Sequence, residues 1–164
     1  MSELNKIALK ILSNGKGILA ADESNGTMTK RLESVKVPSS SENRLLFRET
    51  LLSSSGVKDF IGGVILYDET INQTSSSKQT IPELILKSGA LPGIKVDTGA
   101  KILAGSHEEK ITEGLDGLRE RLQSYYKLGA RFTKWRGVFN LSLIHISEPT
   151  RRTPISYAVF CLKK

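Results

Sequence analysis

Residues 61–69 read IGGVILYDE, an apolar run that ends in two acids. A half-buried strand alternates polar and apolar residues. A run this uniform predicts a strand covered on both faces, as in a parallel sheet. The same form recurs on either side: GILAAD occupies 17–22 and GIKVD occupies 93–97. A fourth segment, ARFTKWR at 130–136, alternates more and ends in charge.

Helical patterns lie between these segments. Ser41 is placed to N-cap a helix through Leu45, Leu46, Leu51 and Leu52. Pro82 suits the first turn of a short helix through Leu84 and Ile85. Leu115, Leu118, Leu122 and Tyr125 recur at spacings of three and four, and Gly129 closes the stripe. Residues 23–40 and 70–80 are rich in Ser and Thr and read as loops. Strands alternating with helices predict an α/β protein with a parallel sheet.

The charges fall in one place along this pattern. Asp22, Asp68, Glu69, Asp97, Lys134 and Arg136 stand at or near the C-terminal ends of the expected strands, and Lys95 lies within one. In parallel α/β folds the loops after the strands build the active site. One charge there is ordinarily a solvated strand end. Four strands in succession with the same habit argue for a site, because a buried charge must be paired.

The chain has 164 residues, 38% apolar and 25% charged, enough for one domain with a core. No stretch approaches the ~20 apolar residues of a membrane span. The opening MSELNKIALKIL carries Glu3 and lacks the apolar centre and cleavage site of a secretory leader. It is also not the Arg-rich, acid-poor opening of a transit peptide. The expectation is a cytoplasmic protein with no membrane partner. Cys161 is the single cysteine and cannot close an internal disulfide. The net charge of +7 is uneven: 141–164 holds Arg151, Arg152, Lys163 and Lys164 against Glu148 alone. Composition leaves two classes open, an enzyme of phosphorylated sugars and a non-enzymatic basic module that binds phosphate or nucleic acid.

Six ordered blocks narrow the choice. They are GILAADESNGTMTKRL at 17–32, ENRLLFRE at 42–49, GGVILYDET at 62–70, GIKVDTG at 93–99, GLDGLRERL at 114–122 and FTKWR at 132–136. Together they resemble the class I fructose-bisphosphate aldolases, over nearly all of residues 5–138. The resemblance implies a (β/α)8 TIM barrel, of which residues 1–140 are the N-terminal half, about four β/α units. It implies reversible cleavage of fructose 1,6-bisphosphate to dihydroxyacetone phosphate and glyceraldehyde 3-phosphate in glycolysis and gluconeogenesis. It implies no metal, no cofactor and no nucleic-acid partner, and a homotetramer for the complete protein. In that family a lysine on the sixth strand forms a Schiff base with the ketone, and the iminium accepts the electrons of the breaking C3–C4 bond. The chain stops before that strand, so it is expected to be inactive by itself.

The resemblance carries roles position by position. Asp22 resembles the aspartate that positions substrate and assists proton transfers, and Lys134 the lysine that assists carbon–carbon cleavage. These two are the expected catalytic residues. Arg136 resembles a substrate-contacting arginine, and Lys95 a lysine of the charge network at the barrel centre. Arg31 and Arg44 resemble arginines of the phosphate-binding region. Thr27 stands where many relatives have serine, and it keeps the hydroxyl. Guanidinium groups suit this work because they hold phosphate by paired hydrogen bonds. Arg44, on a helix, also reads as a solvated face.

Other signals are weaker. Asp97-Thr98-Gly99 is the tripeptide of aspartic proteases, but the dense short strands of that fold are missing. Asn25-Gly26-Thr27 and Asn72-Gln73-Thr74 are glycosylation sequons in a chain with no secretory leader. His107, among Ser106, Glu108 and Glu109, reads as a solvent-exposed helix start, and no Cys/His spacing suggests zinc.

After Asn140 the resemblance ends. LSLIHISEPTR at 141–151, Arg152-Thr153-Pro154, and ISYAVFCLKK at 155–164 resemble a translated sequencing adapter. The blocks match a transposase end with its primer site, a variable index and a flow-cell end, in that order. Residues 141–164 are therefore expected to be a non-native tail. Genomic DNA is expected to depart from this chain after codon 140. A gene that reads continuously from FTKWRGVFN into LSLIHISEPTR would sink that reading.

Overall fold

The computed structural model describes residues 2–138 and the strand 157–161. Four strands form a parallel sheet: β1 (Gly17–Ala21), β2 (Ile61–Leu66), β3 (Leu91–Lys95) and β6 (Phe132–Arg136). β7 (Tyr157–Cys161) runs antiparallel beside β6, giving the order β1-β2-β3-β6-β7. The remainder of the 141–164 tail lies outside the described residues. A separate hairpin, β4 (Gly99–Ile102) with β5 (Lys110–Glu113), follows β3. The apolar pattern did not foretell it, and His107 sits exposed in its loop rather than at a helix start.

The helices are α1 (Glu3–Ile11), α2 (Asn25–Ser34), α3 (Ser41–Leu52), α4 (Ser55–Phe60), α5 (Asp68–Ile71), α6 (Ile81–Lys87) and α7 (Leu118–Lys127). α6 opens with a capping box, Thr80 and Glu83 exchanging side-chain and main-chain bonds, and has proline in its first turn. The cap of α3 is Ser40, one residue before the expected Ser41. α7 starts after Gly117 at φ 63, so Leu115 falls outside the helix and is exposed. Gly129, at φ 109, turns the chain into β6.

α2 corrects the reading of 23–40 as a loop. Ser24 caps it by accepting a hydrogen bond from the Thr27 N–H, and Met28 and Leu32, four residues apart, are buried. Two apolar contacts among many Ser, Thr and charged residues are too few to show a helical period. α5 likewise takes Asp68 and Glu69 off the strand end and into a helical turn.

The sheet has two unlike faces. Val64, Leu66, Ile94, Val96 and Ala21 point outward into the main core, against Leu52, Ile71, Ile81, Ile85 and Tyr125. The alternate residues Ile65, Leu91 and Phe132 point inward, where Ile7 and Ile11 of α1 cover them at the N-terminal end of the strands. β2 and most of β3 are buried on both faces, as the apolar runs require. β1 is not: it is the edge of the described sheet, and Gly17, Ile18 and Ala20 are exposed.

Close approach fixes two glycines. A Cβ on Gly93 would stand 2.4 Å from the Phe132 ring, and one on Gly62 would stand 1.8 Å from the main-chain oxygen of Ile11. Gly62→Ala is therefore expected to cost roughly 3 kcal/mol of unfolding free energy, the upper range for overpacking. Gly26→Ala, where a Cβ meets nothing within 4 Å, should be neutral or stabilising by about 0.5 kcal/mol. Urea denaturation of both variants checks this. Equal midpoints would refute the seating of α1 against β2.

Candidate active site

The inner face changes character along the strands. In the register of β3 and β6, Gly93 lies opposite Phe132 and Lys95 opposite Lys134. Residues two apart share a face of a strand. Two positions beyond the apolar floor, the same face therefore carries two lysines side by side.

Lys134 Nζ donates to Asp22 Oδ2 at 2.5 Å. The two side chains are 11% and 9% exposed. β2 and β3 lie between their strands, and a flat sheet would hold β1 and β6 roughly 14 Å apart at ~4.8 Å per strand. The contact exists because the sheet curls and its inner side chains converge. Lys95 Nζ donates to both the main-chain oxygen and Oδ1 of Asp97, each at 2.9 Å. The Gly99 N–H donates to Asp97 Oδ1 at 3.2 Å, and Asp97 Oδ2 has no partner. The Asp97 side chain is 1% exposed.

These groups line a cavity of about 950 Å³ at the C-terminal ends of the strands. Six of the seven residues expected from the sequence reach it: Asp22, Thr27, Arg31, Lys95, Lys134 and Arg136. Thr27 stands exposed in the first turn of α2 with its hydroxyl 3.2 Å from that of Ser24. Arg31, on the same helix, pairs with Glu23 and is half exposed. Arg136 is exposed at the rim.

Arg44 is not brought to the cavity. Its Nε and Nη2 donate to the two oxygens of Glu69, and its Nη1 donates to Ser39 O at 2.9 Å. That bidentate bond holds the Glu69 carboxyl below the usual carboxylate range. Arg44 is therefore a partly buried structural cation, neither a solvated face nor a cavity residue.

Sequence reasoning missed four groups in or behind the wall. Tyr125 reads as one more apolar residue of the α7 stripe, yet its hydroxyl donates to Asp68 Oδ1 at 2.8 Å inside the cavity. Burial, then Asp68, pushes the Tyr125 phenol up to about 12. Arg121, one turn earlier, donates to the main-chain oxygens of Val96 and Gly114. The i, i+4 spacing of Arg121 and Tyr125 was the available signal. Glu23 lies next to Asp22 in the cavity wall. Arg48 is fully buried behind it. Among the described residues no group of three or more His, Cys, Asp or Glu is placed to hold a metal ion. No helix there is long and apolar enough to cross a membrane.

The family model described as "Glycolytic: Fructose-bisphosphate aldolase class-I" matches residues 3–158. A probable class 1 fructose-bisphosphate aldolase of Xylella fastidiosa (strain Temecula1 / ATCC 700964) is 50% identical over 141 residues, covering 86% of this chain and 42% of that protein. A cytosolic fructose-bisphosphate aldolase of Arabidopsis thaliana is 44% identical over 163 residues, covering 97% of this chain and 46% of the relative. A solved fructose-bisphosphate aldolase from Plasmodium falciparum superposes with a TM-score of 0.80 at 44% identity, covering 85% of this chain and 41% of that one. The chain thus spans about two fifths of the length of the relatives it matches, and its curled parallel sheet is the first half of a TIM barrel. Its sequence and its fold place the chain in the class I fructose-bisphosphate aldolase family.

Proposed function

We propose that residues 1–140 supply one wall of a sugar-phosphate aldolase site whose complete form cleaves fructose 1,6-bisphosphate into two triose phosphates. The observation that carries this reading is the Asp22–Lys134 pair, an ammonium and a carboxylate in contact in the wall of the cavity. An ammonium that donates beside a carboxylate that accepts is suited to moving protons to and from a hydroxyl and a carbon as the bond breaks. Asp22 and Lys134 are the catalytic residues of this wall. Thr27, Arg31, Lys95 and Arg136 hold phosphate and sugar hydroxyls. Arg44 leaves that group and serves the Glu69 network. The cavity also presents the acids Asp22, Glu23, Asp68 and Asp97. They disfavour a nucleic-acid backbone and suit a small polar substrate with hydroxyls to place. In this reading the complete protein is a cytoplasmic homotetramer, and residues 141–164 are not part of it.

The wall alone does not complete the reaction. A lysine becomes a nucleophile in an apolar pocket or beside another cation. Lys95 and Lys134 stand side by side, but each is bound to its own carboxylate. In this reading the ketone is attacked from another strand of the barrel.

Purified from a host without its own class I aldolase, the 164-residue chain is expected to release no triose phosphate from fructose 1,6-bisphosphate. Borohydride should leave it unlabelled by dihydroxyacetone phosphate. Turnover above background, lost on borohydride treatment only with substrate present, would show that a lysine of this chain forms the iminium. In the complete enzyme, Lys134→Ala and Asp22→Ala should each lower kcat by about 10²- to 10⁴-fold, the range for a lost proton-transfer group. Arg44→Ala should lower Tm and leave kcat within a few-fold. Equal kcat losses in all three variants would undo the assignment. The same enzyme should keep its activity in EDTA, and full loss there would point to a metal-dependent reaction.

A further inference from the structure

Arg48 is the largest fully buried side chain among the described residues, at 0% exposure, and it does not line the cavity. Its Nη2 donates to the main-chain oxygen of Glu23 at 2.5 Å, and its Nη1 to Glu69 Oε2 at 3.3 Å. The Tyr67 ring lies over the guanidinium at 5.9 Å, and Nε has no partner. Glu69 is fixed in turn by Arg44 and receives the Asn25 side-chain N–H at 3.4 Å. One network therefore ties α3 and α5 to the turn 22–25, which joins β1 to α2.

That turn carries Asp22. On one side Asp22 follows Ala21, which is paired with Leu66 in the sheet. On the other side the next carbonyl, that of Glu23, is the one Arg48 grips. Asp22 is thus pinned from both directions, once by the ladder and once by a buried cation. Packing alone gives little reason for the arrangement. Burial pushes the Arg48 guanidinium below its ordinary range, and an apolar side chain of similar volume commonly serves stability as well as a buried ion pair does. What an apolar residue would not supply is a donor aimed at the Glu23 carbonyl.

We propose that Arg48 is a positioning residue that sets the Asp22 carboxylate against Lys134 by fixing the Glu23 carbonyl. Its value to turnover rests on the reading of Asp22 and Lys134 as the proton-handling pair. Lys95 supplies an internal reference, because its ammonium is bound to Asp97 by contacts independent of the turn.

The test is the solvent-exchange rate of lysine ammonium protons in the 164-residue chain, read by NMR on ¹⁵Nζ-labelled protein. In Arg48→Met the Lys134 ammonium should exchange about tenfold faster, as for loss of a charge-assisted hydrogen bond, while Lys95 stays unchanged. Arg48→Lys, which keeps one donor, should fall between Met and wild type. If circular dichroism shows that Arg48→Met does not fold, Glu69→Gln carries the same comparison, since it loosens Arg48 without emptying its site. An unmoved Lys134 in a folded variant overturns the proposal. Equal acceleration at Lys95 and Lys134 overturns it as well, because that is the mark of general loosening. Calorimetry of the wild-type chain with fructose 1,6-bisphosphate separates the two ideas. Absence of binding there counts against the substrate reading and leaves the Lys134 result to decide the role of Arg48.

Discussion

An ammonium on β6 meets a carboxylate at the end of β1 only when the two strands between them are bent around a common axis. The bend has a steric basis at the other end of the strands. Gly63 and Gly93, on neighbouring strands, leave the space that the Phe132 ring fills, and a Cβ on either would stand 3.0 Å or less from it. Ile11 closes the same floor from α1. A large ring on one strand over bare backbone on the next two draws the inner face together. Two residues further along, that closeness becomes an ion pair. The apolar floor and the charged layer above it are successive layers of a barrel interior.

Putting charge in that layer is a poor way to gain stability. Two buried or half-buried lysines and two buried aspartates carry a desolvation penalty that their attraction roughly offsets. Apolar residues in the same layer would pack at least as well. The outer face of the same strands takes that course, with Val64, Leu66, Ile94 and Val96 at the alternate positions. The contrast between faces, on the same strands and only a residue apart, is a physical reason to read the inner layer as chemistry.

The strands and the place of the site were legible because both depend on short-range pattern. Apolar segments ending in acid or base located all four parallel strands to within three residues. The resemblance then assigned roles that pattern alone could not. The illegible parts share a different cause. α2 shows only Met28 and Leu32 to the core, and the hairpin after β3 shows almost nothing, so neither has a period to detect. Arg44 and Arg48 lie on one helix face four residues apart, and both engage Glu69. That both turn to a carboxylate on another helix, and neither to the cavity, depends on α5, twenty-one or more residues away. Tyr125 was hidden by its own ring, which satisfies an apolar stripe and conceals a hydroxyl directed at Asp68.

The charges around the cavity fall into two mechanical classes. Lys95, Lys134 and Tyr125 are each held by a carboxylate on another residue, and they sit deep. Because the Tyr125 phenol titrates at about 12, it stays a donor at any physiological pH and keeps Asp68 engaged. Arg31 and Arg136 are exposed at the rim, and Arg31 pairs there with Glu23. The Arg31 guanidinium is half exposed, so water screens its pair with Glu23, and an incoming phosphate can compete for it at small cost. It cannot readily displace Asp22 from Lys134 or Asp97 from Lys95. In the site proposed above, the rim is therefore free to adapt to the ends of a substrate, and the deep wall is fixed before it arrives. A group placed in advance where charge will develop needs no reorganisation at the moment of reaction. Arg48 belongs to the second class although it never meets the cavity, because the backbone it holds is the backbone on which the fixed carboxylate stands.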